Sequence, residues 1–166
     1  MPLAPRPLTP TDLPAALALN NAAAPHVNVL DADGLARLWA WAAVALGARG
    51  DDGGLLGFLL ALPPDLPYDS ANYRWVVGRR PQFLYVDRVV VTPGARGRGV
   101  GRALYRAALD AARCEGYASV VCEVNERPPN PGSLAFHAAL GFGVIGRCDH
   151  GPHDKAVVFL ERAGAA

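Results

Sequence analysis

Lysine is all but missing from this chain: Lys155 is the single lysine among 16 basic residues. Cysteine is scarce as well. Cys114, Cys122 and Cys148 have no metal-ligand spacing and make no disulfide framework. Cys114 and Cys122 fall on apolar faces, so both are expected to be buried free thiols in a reducing compartment. Charge of one sign is also lacking. A net charge of +1 gives no overall field toward nucleic acid or membrane. No apolar run reaches the roughly 18 residues that span a bilayer, and the proline-studded start is unlike a signal peptide. The chain is therefore expected to be soluble and cytoplasmic. Repeats, low-complexity tracts and linkers are absent too, which predicts a single domain over residues 1–166. With 51% hydrophobic and 19% charged residues, that domain can bury a core.

What the chain does have centres on Phe83 to Gly101. Its first half is rich in β-branched and aromatic residues and predicts a buried strand. Pro93 and Gly94 stop it, and Arg96-Gly97-Arg98-Gly99-Val100-Gly101 leads straight into a helix from Val100 to about Cys114. A second strand, Ser119 to Val124, follows. The result is a βαβ unit whose first turn is a glycine-rich arch at a helix N-terminus. Free N–H groups and the positive end of the helix dipole make such an arch a pyrophosphate site.

An ATP-binding P-loop needs Lys-Ser or Lys-Thr after the last glycine, and here Arg102-Ala103 follow Gly101. A dinucleotide fingerprint puts Arg102 or Leu104 in its third glycine position, although Glu123 stands where a ribose-binding acid could sit. A nucleic-acid surface through Arg96, Arg98, Arg102 and Arg106 lacks interleaved aromatics. The spacing that fits is Arg96-x-x-Gly99-x-Gly101 after a strand ending Val-x-Pro. It resembles the acyl-CoA signature of the GNAT superfamily of N-acyltransferases. A second segment, Asn130-x-x-Ser133-x-x-x-His137-x-x-x-Gly141-Phe142, is similar to the family's Asn-x-x-Ala/Ser-x-x-x-Tyr-x-x-x-Gly-Phe helix, with histidine in place of tyrosine as in phosphinothricin-type members.

The rest of the chain predicts a strand at Arg6–Thr9, a helix that starts within Thr11-Asp12-Leu13-Pro14, capped by Thr11 or Asp12, and runs to about Ala23, a second helix from Gly34 to about Trp41, and strands at Ala43–Arg49 and Leu55–Leu62. Asp51-Asp52-Gly53-Gly54 joins the last two as a hairpin turn. A short helix, Ser133–Leu140, precedes final strands Phe142–Arg147 and Ala156–Glu161, and a frayed tail, Arg162–Ala166, ends the chain. The order β-α-α-β-β-β-α-β-α-β-β is a mixed α/β domain with a central right-handed βαβ crossover, similar to the GNAT fold along nearly its whole length. Pro63 to Gln82 reads as a long loop carrying Tyr68, Tyr73 and Trp75, a candidate wall for an acceptor pocket through Tyr73 and Trp75. His150, His153 and Asp154 have no further ligands at a defined spacing, so a solvated turn is expected and no metal.

The resemblance implies acetyl transfer from acetyl-CoA to a primary amine of a small molecule or peptide, by direct attack. It assigns the backbone of Val89 and Val91 to the pantetheine, Arg96, Gly97, Arg98, Gly99 and Gly101 to the pyrophosphate, and Asn125 or Asn130 to the pantetheine amides. Asp87 or Glu123 would be the base. By strict alternation Asp87 shares a face with Val89 and Val91, and its alternative reading is a salt bridge to Arg88. His137, as imidazolium, would be the acid that protonates the departing thiolate, its alternative being a half-buried packing residue. A non-catalytic CoA- or nucleotide-binding module stays open at this point, as does a homodimer.

Overall fold

The fold is given by a computed structural model that describes residues 3–164. Its centre is one mixed seven-stranded sheet in the order β1-β2-β3-β4-β5-β7-β6. The strands are β1 (Arg6–Pro7), β2 (Val44–Arg49), β3 (Leu55–Leu62), β4 (Phe83–Val91), β5 (Ser119–Arg127), β6 (Gly143–Asp149) and β7 (Ala156–Ala163). Neighbours are antiparallel except β4 and β5, the parallel pair joined by the predicted crossover. The helices are α1 (Leu13–Ala22), α2 (Ala32–Trp41), α3 (Ala71–Val77), α4 (Val100–Glu115) and α5 (Pro131–Ala139).

Two apolar layers form because alternate strand residues face opposite ways. Leu84, Val86, Val120, Cys122 and Val124 pack on Val100, Leu104, Tyr105, Ala108 and Ala112 of α4. On the other face Phe58, Leu60, Tyr85, Val121 and Phe159 meet Ala16, Leu35, Leu38, Tyr73 and Val76 from α1, α2 and α3. Each fully buried side chain of this size stabilises by about 1.5–3 kcal/mol. The buried stripe of α4 thus runs through Tyr105, Ala108 and Ala112, and Cys114, expected inside, is exposed. Asp31 caps α2 by accepting from the Gly34 N–H at 2.7 Å. Of the expected frayed tail, Arg162 and Ala163 belong to β7, and residues 165–166 lie outside the described residues.

The segment expected to be a loop between β3 and β4 folds α3 instead. Ser70 caps it, accepting from the Tyr73 N–H at 3.3 Å, and Tyr73 and Val76, three apart, bury one face. Tyr73 is 1% exposed, and its hydroxyl donates to the Pro63 carbonyl at 2.7 Å. Trp75 lies flat on Phe159 of β7, with ring centroids 3.9 Å apart and planes 2° apart. Both aromatics belong to the scaffold, which corrects their assignment to the acceptor pocket.

Two irregularities at the sheet's middle create space. The parallel ladder between β4 and β5 covers only Phe83–Ser119, Leu84–Val120 and Tyr85–Val121. From Val86 onward β4 pairs with β3 alone, so its edge toward β5 is open. Within β4 a bulge leaves Asp87 over: Leu60 pairs with Arg88 and Ala61 with Val86. Val89 and Val91 therefore share the α4 face with Val86, and the predicted alternation that grouped Asp87 with them fails.

Candidate active site

The gap between β4 and β5 opens into two connected hollows. One is a groove of about 630 Å³ between the end of β4 and the start of α5, lined by Val89, Val91, Arg96, Gly97, Gly99, Gly101, Asn130 and His137. Gly97 and Gly99 take φ values of +74° and +83°, the left-handed region where an L side chain is strained. Gly99 ends the arch as N-cap of α4 with no side-chain cap, so the helix's first N–H groups face the groove. A Cβ on Gly101 would come within 3.1 Å of the Phe136 ring. An open strand edge, an uncapped helix start and a cradle without side chains fit an extended pantetheine ending in a pyrophosphate. Arg98 does not line this groove. With Arg106 it faces an adjoining shallow surface that shares Gly99 and Arg102 with the groove, and its own N–H donates to the Ala95 carbonyl at 3.4 Å. Asn130 caps α5 by accepting from the Ser133 N–H at 3.4 Å.

The second hollow, about 170 Å³, lies between the α1–α2 connection and the sheet, and its lining includes Tyr85, Asp87, Glu123 and Lys155. Glu123 of β5 is half-buried here, and the Tyr85 hydroxyl donates to its Oε2 at 2.6 Å. Asn72 of α3 donates to Oε1 at 3.4 Å. His150 Nε2 lies 2.9 Å from Asn72 Oδ1, and as donor it fixes the amide with its NH2 toward Glu123. Burial pushes the Glu123 carboxyl up to about 7, against the lowering pull of the Tyr85 hydrogen bond.

Asp87 differs. Arg88 Nε donates to its carboxylate at 2.8 Å, with both side chains no more than 5% exposed. Arg88 Nη1 also donates to Asn20 Oδ1 of α1 at 2.8 Å, so the pair ties α1 to β4. Tyr68, beside Asp87, has its phenol pushed up by burial first and then by that carboxylate's charge. Of the two candidate bases, Glu123 is the one without an ion-pair partner among the described residues.

His137 is 3% exposed. Its Nδ1 sits 2.7 Å from the Ser133 carbonyl, an acceptor only, so Nδ1 carries the proton. Nε2 then accepts from the Tyr105 hydroxyl at 2.7 Å. Burial holds its pKa below the ordinary histidine value. A neutral ring with both nitrogens engaged is no imidazolium, and this corrects the general-acid expectation. Tyr85, Asn72 and Tyr105 escaped the sequence reading, Lys155 was noted only as the single lysine, and His150, expected in a solvated turn, instead packs half-buried against Asn72. Tyr85, two places before Asp87 on an apolar strand, left a weak signal there; the others are assembled only by the tertiary fold.

The sheet that parts at its middle, with an open glycine arch beside the gap, defines an acyl-CoA-dependent N-acyltransferase fold. The profile of the Acetyltransferase (GNAT) family matches residues 18–142, and the chain belongs to that family. The N-alpha-acetyltransferase RimI of Mycobacterium tuberculosis (strain ATCC 25618 / H37Rv) is 38% identical over 71 residues, a match that spans 42% of the length of each protein. Among solved structures, a GCN5-related N-acetyltransferase from Kribbella flavida is 26% identical, with TM-score 0.71 over 97% of both chains. Ard1 from Thermoplasma volcanium reaches TM-score 0.80 over 98% of both chains at 16% identity. The family's acyl donor is acetyl-CoA. Among the described residues no helix is long and apolar enough to cross a membrane, and no cluster of residues could hold a metal ion.

Proposed function

We propose that this chain transfers the acetyl group of acetyl-CoA directly to a primary amine, with Glu123 as base. The observation that carries the reading is the recessed Glu123 carboxyl, pushed up to about 7 beside the gap that opens from β4. A base with such a pKa accepts a proton readily near neutrality and is still about half ionised there. The acceptor enters the smaller hollow while the donor's pantetheine lies along the free edge of β4, backbone of Val89 and Val91 alongside. The amine loses its proton to Glu123, directly or through one water, and its lone pair attacks the thioester carbon. The C–N bond forms as the C–S bond breaks, and an N–H of the β4 backbone polarises the carbonyl oxygen. The leaving thiolate belongs to a thiol of pKa about 8.5, so it departs without a strong acid and takes its proton from water. His137 is a positioning residue in this scheme, holding Tyr105 and the start of α5 at the junction of the hollows.

The acceptor is a small-molecule amine or a peptide N-terminus, since the family match and the RimI likeness both concern amine acetylation. A panel of amino acids, polyamines, aminoglycosides and short peptides with acetyl-CoA, read by thiol release, tests the activity. Thiol release that depends on one class of amine is expected. Tight CoA binding with no amine-dependent turnover would instead mark a non-catalytic binding module.

A further inference from the structure

Lys155 is the chain's one lysine, and it lines the acceptor hollow. Each of the seven ion pairs among the described residues uses an arginine, and Lys155 joins none of them. Its ammonium donates to Asn28 Oδ1 of the α1–α2 connection at 2.8 Å, leaving two of its three N–H groups for a ligand. The hollow's other cation, Arg88, is neutralised by Asp87. An unpaired ammonium on a half-buried residue thus faces the same hollow as the base. Along β7, Glu123 is opposite Phe159, and Lys155 precedes it by four residues. At about 3.4 Å per residue their backbones are roughly 13 Å apart along the sheet, a gap the two side chains narrow from both ends as they line the same hollow.

We infer that the acceptor carries an anion in addition to its amine, and that Lys155 binds this anion while Glu123 receives the amine. The inference rests on the acceptor site proposed above. Its chemistry is shared by an ω-amino carboxylate and by a peptide with an acidic side chain near its N-terminus. Lys155 would select among amines, since a charge-assisted hydrogen bond is made by one class and forgone by the other.

The test uses the full chain with acetyl-CoA and two comparisons of acceptors. These are ω-amino carboxylates of increasing length against n-alkylamines and α,ω-diamines of equal length, and C-terminally amidated Ala-Glu-Ala against amidated Ala-Gln-Ala. In the wild type at least one anionic set should be preferred about tenfold or more in kcat/KM. Lys155→Gln should erase that preference through KM, with kcat and the neutral-amine rates retained, and Lys155→Arg should keep part of it. Calorimetry of the same acceptors with CoA bound reads the anion contact whether or not acetyl transfer occurs. Anion-dependent binding lost in Lys155→Gln supports the inference even if no amine is acetylated, in which case it is the proposed activity that falls. Absence of any anion preference in both rate and binding overturns it. So does an equal loss for neutral and anionic acceptors in Lys155→Gln, which would make Lys155 only a strut to Asn28.

Discussion

At Glu123 burial and hydrogen bonding pull in opposite directions. Removal from water raises the carboxyl, while Tyr85 and Asn72 favour its charged form by donating to it. Tyr85→Phe removes the shorter of those bonds, so the carboxyl should rise further above about 7. Because the base works deprotonated, the acid limb of the kcat/KM profile should move to higher pH in that variant. A limb that stays in place would mean Tyr85 does not act on the titrating group. Both carboxylates were legible as acids on apolar strands. What decides between them was not, because the bulge that leaves Asp87 beside Arg88 depends on the register with β3. The sequence motif likewise pointed to His137, but its neutral state follows from Tyr105, 32 residues away, and from burial that neighbouring residues do not reveal.

Among the elements, the arch and α3 make opposite predictions about what they serve. Gly99 needs its left-handed φ of +83° and stands at the uncapped end of α4. Gly99→Val should therefore weaken CoA binding by about tenfold or more, from backbone strain of about 1–3 kcal/mol alone. Arg98→Ala, altering a side chain outside the groove, should stay within about threefold, a surface contact being worth under about 1 kcal/mol. Calorimetry of the two variants compares them, and equal losses would mean that charge rather than backbone access governs the site. For α3, Trp75→Ala strips the stacked ring from Phe159. It should cost about 2–3 kcal/mol and lower the Tm by about 5–10 °C, with the acceptor KM little changed. A raised KM at an unchanged Tm would return Trp75 to the pocket. This helix was missed because four prolines between residues 63 and 81 read as loop, while its evidence is one cap and two buried residues.

Across the whole molecule, the family and the element order were readable because the glycine arch is a local backbone requirement and strand patterning is periodic. The division of the sheet at β4 and β5 was readable only by resemblance, since a ladder that stops after Tyr85 is a property of two strands together. That division is where the groove along β4 and the smaller hollow adjoin, with Glu123 lining the smaller one. Deprotonation of the amine by Glu123 is read from kcat/KM for an accepted amine from about pH 5.5 to 9.5 in wild type and Glu123→Gln, with CoA affinity measured alongside. The wild-type acid limb should fall near 7. Glu123→Gln should lose the limb and about 100- to 10,000-fold in rate while CoA affinity holds, as deprotonation by Glu123 requires. A Glu123→Gln enzyme that keeps both the wild-type rate and the limb would contradict it.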